Sequence, residues 1–123
     1  MENNMNKTLS LLKRGFESSS SKTPEFTAFT RTFKSEFKKV LKELNCTELE
    51  CINGHFDISG FFNSANGQLW YFNIGDVRWG QRNSLLIRTA QHRKDYTGGP
   101  NMYAGLEYLI PELKRIIQQY DNN

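Results

Sequence analysis

The chain is poor in the residues on which metal and disulfide chemistry depend. It has two cysteines, Cys46 and Cys51, and two histidines, His55 and His92, among 123 residues. Their spacing matches neither a CxxC motif nor a zinc-binding set. If both cysteines lie on one extended strand, their side chains point to opposite faces, so a disulfide between them is not expected. The sequence therefore predicts no metal site and no disulfide.

Long apolar runs are also missing. No stretch approaches the length that crosses a bilayer, and no signal peptide is recognisable at the start of the sequence. Together with the two thiols, these features predict a cytoplasmic protein that does not associate with membranes.

A complete catalytic or cofactor signature is absent as well. Asp57, Asp76 and Asp95 lack the spacing of metal-dependent nucleases, and Gly98-Gly99 is not followed by the Lys-Ser/Thr of a phosphate-binding P-loop. We therefore expect no cofactor and no enzymatic activity. A weak nuclease or hydrolase that uses His92 beside Asp95 is kept as a third alternative.

Aromatic residues, in contrast, are plentiful, with nine Phe, five Tyr and two Trp. Large rings bury much area per residue, so a chain of this length can close one hydrophobic core. The domain organisation predicted is an N-terminal arm over residues 1–22, with a short helix and a Ser-rich linker, followed by a single α+β domain over residues 23–123. The arm is expected to dock on the domain or on a second subunit.

Periodicity predicts the elements of that domain. Residues 5–16 form a short amphipathic helix, and residues 24–45 form a long helix with a stripe of four phenylalanines on its buried face. Alternating segments and two Asn-Gly turns then predict four strands, over residues 47–52, 55–62, 68–74 and 84–90, with a tight turn at Asn53-Gly54. A last helix begins near Pro111, with Tyr120 on its buried stripe. The fold class predicted is α+β, a four-stranded antiparallel meander with an N-terminal amphipathic helix and a C-terminal helix packed on one face.

The segment from 76 to 101 combines cations, aromatic rings and a glycine turn. Arginine and lysine bind phosphate, flat aromatic rings stack on bases, and successive N–H groups at Thr97-Gly98-Gly99 could form an anion-binding nest. The residues predicted to bind a ligand are Arg78, Trp79, Arg82, Arg88, His92, Arg93, Lys94, Tyr96 and Asn101. On the long helix, four further cations repeat at helical spacing and form a basic ridge that would extend this surface toward a polymer: Arg31, Lys34, Lys38 and Lys42.

These features favour a small non-enzymatic binding module for a phosphate-bearing ligand, either nucleic acid or a free nucleotide. The alternative from another class is a phage- or plasmid-type inhibitor that binds a host protein through the acidic zone from Glu43 to Asp57 and the N-terminal arm. A homo-oligomer that sequesters a signalling nucleotide, or that blocks a host defence protein, joins both interpretations.

Overall fold

The computed structural model describes residues 5–16, 23–75, 77 and 84–121. Two helices precede a sheet, and a third helix follows it. The elements are α1 (Asn6–Arg14), α2 (Pro24–Glu43), β1 (Thr47–Asn53), β2 (Ile58–Asn63), β3 (Leu69–Ile74), β4 (Ser84–Thr89), β5 (Met102–Gly105), a 3₁₀ turn (Leu106–Tyr108) and α3 (Leu109–Asp121).

The sheet is an antiparallel meander in the order β1-β2-β3-β4-β5, so the predicted α+β class and antiparallel sheet are confirmed. The predicted strand count of four is wrong, because Met102–Gly105 pairs with β4 as a fifth strand. This strand is only four residues long, and its inward-facing positions are Met102 and Ala104. It forms through backbone pairing on the edge of β4, a long-range interaction that local alternation does not reveal.

The phenylalanine stripe of α2 lies in the core, as the helical period predicts. Phe26, Phe29, Phe33 and Phe37 are all buried. Phe37 packs against Phe72 of β3 with ring centroids 4.9 Å apart. Residues from α1, α2, α3 and one face of the sheet belong to this single cluster, so the described helices cover one face of the sheet.

The first hairpin differs from the predicted tight turn at Asn53-Gly54. β1 ends at Asn53, β2 begins at Ile58, and the four residues between them form a wider loop in which Gly54 N donates to Asp57 O at 2.9 Å. Phe56 adopts a positive φ of 60° within this loop. Its ring is fully buried and lies 5.0 Å from that of Phe26. Burial of this large ring offsets the strain of the positive φ and holds the wider loop on the core.

Helix α1 is attached to α2 by a carboxylate. Glu36 of α2 accepts hydrogen bonds from Lys7 N (3.1 Å), Thr8 N (2.7 Å) and Thr8 Oγ1 (2.6 Å), which are donors in the first turn of α1. A negative charge at this end also interacts favourably with the helix dipole. Met5, Thr8 and Leu12 are buried beneath α1. The short helix of the N-terminal arm therefore packs on the domain.

The two cysteines are free and both contact the helix-side core, Cys46 buried and Cys51 half-buried. Cys46 precedes the strand, and a β-bulge between Thr47 and Glu50, with Glu48 at a φ of 57°, interrupts the alternation of side chains. The condition under which the two thiols would point to opposite faces is therefore not met, because Cys46 lies before β1 and the bulge shifts the register between it and Cys51.

Replacement of Glu36 by alanine is expected to lower the free energy of unfolding by about 1.5–3 kcal/mol, because three donors lose a charged acceptor and two of them are backbone groups at a helix end. Urea unfolding followed by circular dichroism measures the change. Glu43→Ala is the matched control, since Glu43 is the last residue of the same helix and its side chain is exposed. An equal effect of the two substitutions would contradict the attachment of α1 through Glu36.

Candidate functional site

The face of the sheet opposite the helices carries a second, smaller cluster. Phe61, Tyr71 and Ala90 are buried there, with Ile52, Leu69 and Leu86 packed around them. The segment 90–101, which links β4 to β5, folds over this cluster and places the ring of Tyr96 5.7 Å from that of Phe61 and 5.9 Å from that of Tyr71. The long loop predicted to bind a ligand therefore covers one face of the sheet.

Asp95 organises the 90–101 segment. Its carboxylate accepts hydrogen bonds from the backbone N–H groups of Gln91 (3.0 Å), Gly98 (2.8 Å) and Thr97 (3.4 Å), and the bonds from Gln91 and Gly98 are the main causes that lower its pKa. Two of the N–H groups predicted to form an anion-binding nest therefore already bind the carboxylate of this chain. Gly99 closes the loop at a φ of 74°, where a Cβ atom would lie 2.5 Å from Thr89 Oγ1.

Arg93 fastens the same segment to the edge of the sheet. Its guanidinium donates to Asn63 Oδ1 at 2.7 Å, to the backbone oxygen of Glu48 at 2.9 Å and to the Glu50 carboxylate at 3.2 Å. These partners lie on β1 and β2, across the sheet from β4. Arg93, predicted to hold phosphate, thus has its donors engaged by the protein itself.

Three further predicted site residues meet one another. Arg88 Nε donates to Asn101 Oδ1 at 2.7 Å, and the other end of its guanidinium donates to the backbone oxygen of Tyr96. The guanidinium carbon lies 5.9 Å from the ring centroid of Tyr71. The structure therefore brings Arg88, Tyr96 and Asn101 together, where Arg88 holds the middle and the C-terminal end of the segment against the sheet.

His92 and Lys94 have exposed side chains, and the backbone N of Lys94 donates to His92 Nδ1 at 3.2 Å. His55 lies in the β1–β2 loop, whereas His92 follows the far end of β4, so the two histidines are at opposite ends of the sheet. The geometry thus does not pair them as a general acid and base.

Arg78, Trp79 and Arg82 lie outside the described residues. The flanking residues Ile74 and Ser84 are at the end of the sheet opposite to Thr89, from which the 90–101 segment leaves. A strand of this length spans about 17 Å. The predicted site residues therefore belong to segments attached at two different ends of β4.

A polar cleft of about 510 Å³ opens between the β2–β3 turn, the end of β4 and the end of α3. Its lining residues are Gly67, Gln68, Leu69, Thr89, Ala90, Gln91, Asp95, Gly98, Gly99 and Tyr120. Tyr120 was predicted to be buried, but it is 40% exposed and its ring packs edge-on against Trp70 at 5.4 Å. We term this space the Tyr120 cleft. The sequence contains no local signal for it, because its walls come from four separate segments.

The basic ridge of α2, formed by Arg31, Lys34, Lys38 and Lys42, is exposed along its whole length. Burial raises the pKa of the Cys51 thiol, and the charge of Lys34 opposes that shift, which places the ridge beside β1. Among the described residues, no ion pair involves any of these four cations, in contrast with the two that Arg93 forms. The ridge is therefore an unneutralised positive surface.

Within the described ranges, no group of three or more His, Cys, Asp or Glu side chains could hold a metal ion. The helices of that same part of the chain are too short or too polar to cross a membrane. Comparison of the chain with models of protein families, with curated proteins and with solved structures found no match.

Replacement of Arg93 by alanine should lower the free energy of unfolding by about 1–2 kcal/mol, since it leaves the Glu48 backbone oxygen and Asn63 without a donor. Hydrogen exchange should show faster opening of the 90–101 segment. Lys94→Ala is the control, because the Lys94 side chain is exposed and its loss should change stability by less than about 0.5 kcal/mol. Equal protection of the segment from hydrogen exchange in the two variants would contradict the role of Arg93 in holding it to β1 and β2.

Acid should release the 90–101 segment. Because the pKa of Asp95 is lowered in the folded protein, its ionised form stabilises the fold above the ordinary value of 3.8, and this contribution is lost as the pH falls through the lowered value. NMR shifts of the Gln91 and Gly98 amide protons should therefore titrate with a midpoint below 3.8. In Asp95→Asn this titration should be absent. A midpoint at or above the ordinary value would contradict the hydrogen-bonding role of Asp95.

Proposed function

We propose that this protein is a non-enzymatic nucleic-acid-binding module whose main phosphate-binding surface is the basic ridge of α2. The observation that carries the proposal is the exposure of Arg31, Lys34, Lys38 and Lys42 on one side of a helix, without ion pairs to other described residues. Phosphate backbones are bound chiefly by such cations, which release condensed counterions.

Charge across the helical layer favours the same function. Helices α1 and α2 together carry eight cations and three acids, the acids being Glu25, Glu36 and Glu43. Glu36 is already engaged by the first turn of α1. The positive potential of these two helices is therefore largely uncompensated, and it would attract a polyanion.

The length of the ridge favours a polymer over a free nucleotide. Lys34, Lys38 and Lys42 follow one another at intervals of four residues, and each interval rises by about 6 Å along the helix axis. From Arg31 to Lys42 the ridge extends over about 16 Å. A surface of this length matches several successive phosphates, whereas a mononucleotide would contact only one or two of its cations.

The 90–101 segment has a different role in this proposal. Arg88, Arg93 and Asp95 hold it on the sheet, so it covers the face opposite the helices and leaves phosphate binding to other cations. Lys94 is exposed and is proposed as an accessory phosphate contact. Arg78, Trp79 and Arg82 remain predicted ligand contacts.

Neutralising the ridge with Lys34→Gln, Lys38→Gln and Lys42→Gln together should weaken the binding of oligonucleotides and lower the slope of log K against log salt by about two to three units, since each lost phosphate contact removes about 0.7–0.9. Fluorescence anisotropy at several salt concentrations measures both quantities. Single- and double-stranded oligonucleotides of the same sequence should be compared.

The matched control removes three cations elsewhere, with Lys13→Gln, Lys114→Gln and Arg115→Gln. These residues lie on α1 and α3, so the control has the same net charge as the ridge variant. If both variants lose the same slope, the ridge is not the binding surface. If the unaltered protein binds no oligonucleotide even at low salt, the proposed function is wrong.

A protein-interaction module is the second candidate, and exposed aromatic residues at the β5 edge favour it. Tyr103 on β5 and Tyr108 in the following turn are 57% and 64% exposed. Tyrosine is enriched in protein interfaces. A host protein that binds here should be retained at high salt and lost in Tyr103→Ala, whereas the ridge variant should still bind it.

A further inference from the structure

We propose that the Tyr120 cleft is a pocket for one unpaired nucleobase, and that it prefers bases that carry an amino group. The inference rests on the proposed function, because the strand that supplies the base is the one whose phosphates contact the basic ridge. The ligand class proposed is single-stranded nucleic acid, since an unpaired base can turn into a cleft without the cost of breaking a base pair.

The size and wall of the cleft suit a planar ring. Its volume of about 510 Å³ falls within the range of small-molecule sites. Tyr120 forms one wall and exposes 40% of its surface. The ring is held in place by Trp70, whose indole nitrogen donates to Ser64 Oγ at 3.1 Å. A fixed and partly exposed aromatic ring is the usual platform on which a base stacks.

The negative charge in the cleft disfavours a phosphate group as its ligand and favours a base. Among its described lining residues, Asp95 is the single charged group. A phosphate would therefore meet a carboxylate and no cation. An exocyclic amino group, in contrast, is a hydrogen-bond donor that a carboxylate accepts well.

Two side chains of the Tyr120 cleft still have hydrogen-bond acceptors available to a ligand. A carboxylate offers about four lone-pair positions, and Asp95 receives three N–H groups from its own loop. Gln68 Nε2 donates to the backbone oxygens of Leu69 and Ala90, so the Gln68 Oε1 atom remains as an acceptor. Adenine, cytosine and guanine carry amino donors, whereas the N3–H of thymine and uracil lies between two carbonyl oxygens that a carboxylate repels.

Topology places the cleft near one end of the ridge. Helix α2 ends at Glu43, and β1 then begins at Thr47 opposite Asn63. Asn63 also pairs with Leu69, which lines the cleft, so the start of β1, the end of α2 and the cleft share one end of the sheet. With strands about 4.8 Å apart, β1 and the cleft are separated by roughly 10 Å. A strand of a few nucleotides can contact both.

The test uses short oligothymidylates that differ only at one central position, which is thymine, adenine, cytosine, guanine or an abasic site. Fluorescence anisotropy should show that an amino-bearing base binds about fivefold tighter or more than thymine or the abasic site, as expected for one stacked and hydrogen-bonded base. The same series in RNA shows whether the 2′-hydroxyl group of the sugar contributes to binding.

Two variants probe the pocket. Tyr120→Ala and Gln68→Ala should each reduce this base preference, because they remove the stacking ring and the Gln68 Oε1 acceptor, while the salt slope stays that of the unaltered protein. Tyr120→Phe should preserve the preference, because the ring is retained. Tyr108→Ala, which removes an exposed tyrosine outside the cleft, is the matched control. The thermal midpoint of each variant shows whether it is folded.

The outcomes separate this inference from the proposed function. If oligonucleotides bind with a salt slope that depends on the ridge, yet all central positions bind within twofold and Gln68→Ala and Tyr120→Ala change nothing, the pocket is overturned and the function stands. If no oligonucleotide binds, both are overturned. Loss of base preference in folded Tyr120→Ala, with its retention in Tyr120→Phe, supports the pocket.

Discussion

The packing of the α2 phenylalanines against the sheet is the constraint on which the rest of the structure depends. Phe37 contacts both Phe62 and Phe72, with ring centroids 5.9 Å and 4.9 Å apart, and Phe33 contacts Phe72 at 6.1 Å. This packing fixes the rotation of α2 about its axis. Because the side chains of a helix point outward in a fixed order, the same rotation turns the basic ridge to solvent on the side of β1. Core packing and surface charge are thus set together.

The second face of the sheet is covered by a loop instead of a helix. This difference determines what the charged residues in and beneath the loop do. A loop can cover apolar rings only if its own polar groups have partners. Asp95 satisfies three backbone N–H groups, Arg93 joins the loop to β1 and β2, and Arg88 binds a backbone oxygen near its middle. Residue types that suggest a ligand site in sequence are here used for the internal stability of the loop.

This difference explains what the sequence could and could not predict. The period of the α2 stripe and the alternation in β3 depend on neighbours a few positions away, so α2, β3 and the antiparallel sheet were predictable. The partners of Arg93 were not, because Glu50 is 43 residues distant in the chain. The fifth strand and the Tyr120 cleft depend in the same way on segments that meet only after folding. Composition identified the polar, basic segment 76–101. It could not show whether the charged side chains of that segment bind other residues of the protein or a ligand.

Under the proposed function, the separation of charge between the two surfaces favours one arrangement of a bound strand. The ridge carries cations without ion pairs among the described residues, while the Tyr120 cleft carries a carboxylate and polar groups. Phosphate oxygens are attracted to the first and repelled by the second, whereas the amino edge of a base has the opposite preference. A strand that crosses the shared end of the sheet would therefore place its backbone on α2 and turn a base toward Tyr120. The reverse orientation would bring phosphate against Asp95, so the charges alone set the direction in which the base points.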